Sequence, residues 1–266
     1  MKLLKIGISG VRGIVGETIT PELVMDFACA FGTYLGGRKV LVGRDTRTSG
    51  PMLHDAVLAA LASTGCGVVD LGVCPTPILQ KFMKQSRAAG GVAITAGHNN
   101  AEWNALAFIN GEGTTLNEFQ GETVLDIFHL GKFRKAPLSK LGRVGRSDGA
   151  ENAYFEALCR FVDAEAVARA GFKVVIDPCN GAGAGFVDNF CAALGCRLIA
   201  VNDEPTGFFV HDPEPRPRNA GEASSLVRVS GADAGFLLNS DVSRVSAVAE
   251  DGETLSEEYT LPLAAG

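Results

Sequence analysis

The chain has 266 residues and seven cysteines but no Cys-x-x-Cys pair, which excludes a zinc ribbon and a thioredoxin-type redox motif. It has no apolar run near the ~18 residues of a membrane span. It has no excess of positive charge, since 24 basic residues face 30 acidic ones, and this excludes general electrostatic binding to nucleic acid or an anionic membrane. Its 33 glycines lack a three-residue period, which excludes collagen. The dispersed cysteines and the absence of a secretory leader predict a cytoplasmic protein with reduced thiols.

Short apolar runs alternate with helical patterns along the whole chain, and glycine-rich loops separate them. Strand–helix alternation of this kind predicts a covered, mainly parallel sheet. Residues 131–150 are poor in apolar side chains and are the best candidate for a linker. The pattern then restarts, so we expect two consecutive α/β/α domains, at 1–140 and 150–258, with mixed, mainly parallel sheets.

A turn with two arginines, Arg44 and Arg47, lies between a predicted strand and a predicted helix. Its sequence, Gly-Arg-Asp-Thr-Arg-Thr-Ser-Gly, gathers backbone N–H groups, hydroxyls and guanidinium groups, which suits an anion. The other interpretation is a capped turn that Arg–Asp pairs hold in place. The sequence favours neither interpretation.

Further motifs follow in a specific order. They are the glycine-flanked Arg12 in 6–13, Pro-Thr-Pro at 75–77, the polar loop 95–104, the glycine loop 177–183, the proline-rich segment 211–219 and the loop 239–244. In this order they resemble the α-D-phosphohexomutases, the phosphoglucomutase/phosphomannomutase superfamily. The resemblance covers the whole chain. It implies a fold of four domains, a phosphoserine that exchanges its phosphoryl group with a sugar phosphate, and assistance by Mg²⁺.

The chain departs from the family where the chemistry takes place. The family's active-site loop reads Thr-Ala-Ser-His-Asn-Pro, and the serine position is Gly97 here, followed by His98. Glycine has no side-chain oxygen to carry a phosphoryl group. The stretch that begins at Asn104 also lacks the lysine that usually follows, which removes a candidate general acid/base.

The family's metal loop reads Asp-Gly-Asp-Ala-Asp-Arg, and the matching residues include Asn239, Asp241, Ser243 and Arg244. One carboxylate beside an amide and a hydroxyl is a poor donor set for Mg²⁺, which prefers anionic oxygen ligands. We therefore expect a degenerate metal site and no cofactor.

The resulting hypothesis is a truncated homologue without domains III and IV that has lost mutase activity and acts as a binding, scaffold or regulatory protein. A homo-oligomer or a partner chain is expected to cover its interdomain surfaces. An anion pocket is expected from Arg12, Arg44, Arg47, His98 and Arg244. The alternative is one half of a split phosphohexomutase that a second chain completes.

Other interpretations carry less weight. His98 is a general base or, preferably, a residual hydrogen-bonding group, whereas His211 and the other histidines are predicted to be surface or core residues. The loop from Asn180 to Gly185 suggests a dinucleotide site, with Asp203 as the ribose acid. Its glycine spacing is wrong for that motif. Nothing near Cys179 in sequence predicts a thiolate.

Overall fold

The computed structural model describes residues 4–265 as two compact units. The first unit runs to Ala96 and continues over Glu102–Ala153, and the second combines Gly97–Ala101 with the chain from Tyr154 onward. The five residues 97–101, which the predicted boundaries placed in the first domain, thus group with the second unit.

Seven strands form the sheet of the first unit, and helices connect them. The strands are β1 (Lys5–Gly7), β2 (Gly10–Ile14), β3 (Val40–Arg44), β4 (Val68–Val73), β5 (Gly90–Ile94), β6 (Trp103–Asn110) and β7 (Val144–Arg146). The helices are α1 (Pro21–Tyr34), α2 (Gly50–Ser63), α3 (Thr76–Ser86), α4 (Glu118–Leu130) and α5 (Ala150–Cys159), the last of which continues into the second unit.

The sheet is mixed, as predicted, with the strand order β1-β2-β6-β5-β3-β4-β7. Strands β5, β3, β4 and β7 are parallel, and β6, β2 and β1 add to them in antiparallel pairs. Val42 and Val92 face the core that α1, α2 and α4 cover, while Gly43 and Gly91 lie close to Leu79 of α3. Since successive strand residues alternate between faces, the unit has three α/β/α layers.

Residues 131–150 are more than a linker. Within them β7 pairs with β4 through Val68 and Val144, and it extends the sheet by one parallel strand. All three β7 residues are exposed and are held by backbone hydrogen bonds. An edge strand with no buried side chain leaves no apolar pattern, so the sequence could not reveal it.

The second unit has a four-stranded sheet in the order β11-β10-β8-β9. Its elements are α6 (Ala164–Ala170), β8 (Lys173–Asp177), α7 (Phe186–Ala193), β9 (Arg197–Ala200), α8 (Gly221–Ser230), β10 (Ala234–Leu238), β11 (Val245–Val248) and α9 (Thr260–Ala265). Strands β10, β8 and β9 are parallel, and β11 is antiparallel. Helix α8 packs on one face through Val227, while Phe186 and Phe190 of α7 lie near each other with ring centroids 5.7 Å apart. None of the described helices combines the length and apolar character that a membrane crossing requires.

Parallel pairing brings the ends of particular strands together in each unit. In the first unit Arg44 at the end of β3 pairs with Ile94 at the end of β5. In the second unit Leu237 near the end of β10 pairs with Asp177 at the end of β8. Loops that follow neighbouring parallel strands start side by side, and such edges are where α/β folds place their sites.

Candidate functional site

The turn after β3 is built around the buried carboxylate of Asp45. Its Oδ2 accepts hydrogen bonds from Arg47 Nε at 3.0 Å and from Thr95 Oγ1 at 2.7 Å, and its Oδ1 accepts the backbone N–H of Arg47 at 3.0 Å. Arg47 also donates to the carbonyl oxygen of Trp103 at 3.1 Å. The Arg47 and Asp45 side chains have no exposed surface in this ion pair. Arg47 therefore holds the turn together, as the capped-turn interpretation requires.

The other predicted residues of the first unit are half-buried or buried. Arg44 is half-buried and donates to the carbonyl oxygen of Asp45 at 2.9 Å. Asn104 is fully buried, and its amide donates to Ser49 Oγ at 2.9 Å. Arg12 is half-buried on β2, where it pairs across from Ala105. The predicted anion-binding roles of these arginines stay predictions.

In the second unit the loop at Gly97 lies against the loop that follows β10. Ser240 Oγ donates to the carbonyl oxygen of Gly97 at 2.7 Å. A Cβ atom placed on Gly97 would be 3.5 Å from Asn239 Nδ2, 3.8 Å from Asp241 Oδ1 and 4.0 Å from Ser243 Oγ. The residues matched to the family's serine and metal loops therefore lie together in the structure.

Asp241 is the acceptor at the centre of this contact. Its Oδ1 accepts hydrogen bonds from Asn239 Nδ2 at 2.8 Å, from Ser243 Oγ at 2.6 Å and from the backbone N–H of Ser243 at 3.2 Å. The backbone N–H of Arg244 donates to Asn239 Oδ1, which fixes the orientation of the amide. Val242 has φ +61°, a left-handed conformation that strains a β-branched residue. The loop is thus closed tightly around one carboxylate.

The glycine loop after β8 packs against the same segment. A Cβ atom on Gly181 would come within 2.6 Å of the Ser240 carbonyl oxygen, and one on Gly183 within 3.2 Å of Val242. The backbone N–H of Ala182 donates to the Ser240 carbonyl at 2.7 Å. The Ser240 backbone beside Gly181 and the Pro178 and Val242 side chains beside Gly183 therefore account for these glycines, without a bound dinucleotide.

His211 belongs to a largely buried polar cluster that was not predicted from the sequence. Its Nε2 lies 3.1 Å from Asp177 Oδ2, and its Nδ1 lies 2.8 Å from the Asp212 carbonyl oxygen and 3.7 Å from Cys179 Sγ. Burial alone lowers the pKa of His211, but the hydrogen bonds to Asp177 and Cys179 outweigh it and raise the pKa to about 11. Both ring nitrogens then donate, so the cation anchors the proline-rich segment to the end of β8. The sequence feature that could have indicated this cluster is Asp177, an acidic residue at the end of the buried strand β8.

Two further features bear on the chemistry. Among the described residues no group of three or more His, Cys, Asp or Glu side chains is placed to hold a metal ion.

A cavity of about 560 Å³ in the second unit is lined mainly by apolar side chains such as Phe172, Phe186 and Phe236. Such a lining does not suit a phosphorylated sugar, so the polar loops are the better candidate site.

The family models for phosphoglucomutase/phosphomannomutase α/β/α domain I and domain II match residues 3–135 and 152–252. A "probable phosphoglucosamine mutase" of Thermococcus kodakarensis is 38% identical over 260 residues, which cover 98% of this chain and 57% of that protein. A phosphoglucomutase/phosphomannomutase of the same organism is 37% identical over 265 residues, which cover 97% of this chain and 58% of that protein. This chain thus spans less than two thirds of the length of these relatives.

The fold agrees with a solved structure. A phosphoglucomutase/phosphomannomutase family protein from Burkholderia thailandensis superposes with a TM-score of 0.82 at 24% identity, over 97% of this chain and 57% of that one. Two successive domain models, in the family's order, together cover most of the chain. The chain belongs to the phosphoglucomutase/phosphomannomutase family.

Proposed function

We propose that this chain binds a phosphorylated hexose and does not carry a phosphoryl group at the position where the family's mutases do. The observation that carries the proposal is Gly97. It has no nucleophilic oxygen, its φ of +56° suits glycine, and its carbonyl is held by Ser240. Without an acceptor at this position, binding can occur but the family's covalent exchange cannot.

The contacts of Asp241 support a proposed function that does not involve Mg²⁺. Mg²⁺ takes oxygen ligands at about 2.0–2.1 Å in octahedral geometry. Here Asp241 Oδ1 already accepts three hydrogen bonds, and Asn239 turns its NH₂ group, which has no lone pair to offer, toward that oxygen. The donor set does not fit Mg²⁺, so no step of the proposed function uses the ion.

Binding is assigned to charged and polar groups around these loops. Arg244 is about half exposed and lies at the end of the 239–244 loop. His98 is half-buried beside Gly97. A guanidinium suits a phosphoryl group because its planar N–H groups match the oxygen spacing. These groups support the proposed binding role, and a regulatory function, alone or with a partner chain, is part of the same proposal.

The test is incubation of the purified chain with glucose 1,6-bisphosphate carrying labelled phosphate, alongside a mutase assay with and without cell lysate. We expect no stable label on the protein and no turnover, but saturable binding of glucose 6-phosphate by calorimetry. Label retained on the chain would refute the proposal. Turnover in lysate that requires this chain would instead support the split mutase.

The partner proposal has a separate test. Phe161 is 93% exposed, Val229 81% and Phe208 73% in the second unit, and burial of such large apolar side chains against another chain is favourable. Light scattering after size-exclusion chromatography is expected to give at least a dimer. A monomer at micromolar concentration would contradict the homo-oligomer and would leave a different protein as the proposed partner.

A further inference from the structure

We propose that Arg216 and Arg218 join Arg244 to hold the phosphoryl group of the bound hexose phosphate. The inference rests on the proposed function and names the residues that would perform it. Arg216 and Arg218 lie in the proline-rich segment, outside the residues matched to the serine and metal loops.

The three arginines converge on one carboxylate. Glu214 Oε1 lies 2.9 Å from Arg216 Nη2 and 3.7 Å from Arg244 Nη1, and Glu214 Oε2 lies 3.8 Å from Arg218 Nη2. We call Arg216, Arg218 and Arg244 around Glu214 the arginine cluster. Arg218 also lies 3.7 Å from Asp212. Three cations against two carboxylates leave a local positive charge on a chain whose net charge is −6.

The arginine cluster is accessible, while the acid at its centre is not. The side chains of Arg216, Arg244 and Arg218 are 43%, 48% and 61% exposed, whereas that of Glu214 is only 16% exposed. Glu214 therefore holds the guanidinium groups near one another without neutralising all of them. A dianionic phosphoryl group has three terminal oxygens and up to two negative charges, so it offers the three guanidinium groups more acceptor sites and more charge than the single carboxylate of Glu214.

The segment that carries two of these arginines is held in place. Asn219 Nδ2 donates to the carbonyl oxygens of Glu214 at 2.7 Å and Asp212 at 3.1 Å. His211 anchors the start of the segment to Asp177. Arg244, which lies outside this segment, is also held in place, because its backbone N–H donates to Asn239 Oδ1. A prearranged set of donors reduces the ordering cost of binding.

The experiment compares glucose 6-phosphate, inorganic phosphate and glucose as ligands in isothermal titration calorimetry. The test variant combines Arg216→Gln with Arg218→Gln. The control combines Arg160→Gln with Arg169→Gln, which removes the same two charges from exposed positions of the same unit. We expect Kd for glucose 6-phosphate to rise at least tenfold in the test variant and less than twofold in the control. Inorganic phosphate should compete and glucose should not.

Each result has a distinct meaning. No binding of glucose 6-phosphate to the unmodified chain overturns the proposed function and this inference with it. Normal binding that the test variant retains overturns this inference alone. Equal weakening in test and control variants also overturns it, because the effect would then come from net charge. The test variant leaves the largely buried Glu214 with Arg244 alone, so some loss of Tm is expected, and the titrations are run at a temperature where circular dichroism shows both variants to be folded.

Discussion

Replacing Gly97 with serine restores the hydroxyl that the family uses, but we expect it to destabilise the second unit. Gly97 has φ +56°, and the left-handed region costs an ordinary L-residue roughly 1–2 kcal/mol. The nearest atoms to a new Cβ are 3.5–4.0 Å away, which is ordinary van der Waals contact, so steric overlap adds nothing. The expected loss is therefore about 1–2 kcal/mol from backbone strain.

The measurement is thermal unfolding of Gly97→Ser and Gly97→Ala. For a unit of this size roughly 4 °C corresponds to 1 kcal/mol, so both variants should lower Tm by about 4–8 °C. Gly221→Ala is the control, since this glycine begins α8, no atom lies within 4 Å of its added Cβ and its φ is not in the left-handed region. We expect its Tm to stay constant or rise slightly.

Two outcomes would contradict this reasoning. An unchanged Tm in both Gly97 variants would mean that the loop does not hold its left-handed conformation. A serine variant much more stable than the alanine variant would mean that the hydroxyl gains a partner such as Ser243. We also expect Gly97→Ser to show no mutase activity, because Asp241 remains bonded to Asn239 and Ser243.

The other predictions concern buried groups. Asp241→Asn should cost about 1–3 kcal/mol in urea unfolding, because a buried acceptor of three hydrogen bonds becomes partly a donor. His211→Gln should lower stability more at pH 6 than at pH 10. The pKa of His211 is raised above its ordinary value to about 11, so its stabilisation is complete below about pH 6.5 and is lost as pH rises through about 11. Iodoacetamide at pH 8 should alkylate exposed Cys159 before Cys74, whose pKa burial raises to about 12, as peptide mass spectrometry can establish.

Results opposite in sign would count against each of these. An Asp241→Asn variant with an unchanged free energy of unfolding would show that the hydrogen bonds of Asp241 contribute little net stability. A His211→Gln deficit that grows toward pH 10 would show that the imidazole is neutral in the folded protein. Alkylation of Cys74 at the rate of Cys159 would show frequent opening around Cys74.

The sequence predicted the regular elements well where side-chain burial shapes the pattern. Thr20 and Pro21 mark the start of α1, and the Thr20 hydroxyl accepts the backbone N–H of Leu23 in the structure. The buried run of β5 was visible for the same reason. Strand β7 was missed because its three exposed residues pair only through the backbone.

Residue types alone did not reveal which polar groups serve the fold. Arg47 suited an anion as well as an internal ion pair, and only its complete burial against Asp45 distinguishes the two roles. Gly181 suited a dinucleotide-binding loop, but the residue must be glycine because the backbone of Ser240, 59 residues further along the chain, lies against it. Such pairings depend on strand order, which brings β8 beside β10.

In the loop from 239 to 243, the amide at position 239 suits the carboxylate at position 241 in the absence of a cation. Asn239→Asp would place a second carboxylate where an amide now lies 2.8 Å from Asp241 Oδ1. Two carboxylates at that distance cannot both ionise without a cation, so one must hold a proton. We expect the variant to be less stable at pH 8 than at pH 5, relative to the unmodified chain, and to regain Tm when millimolar Mg²⁺ binds the folded form. Asn152→Asp, at an exposed position, should show neither effect. An Asn239→Asp variant with unchanged pH dependence would show that the loop opens to separate the two carboxylates.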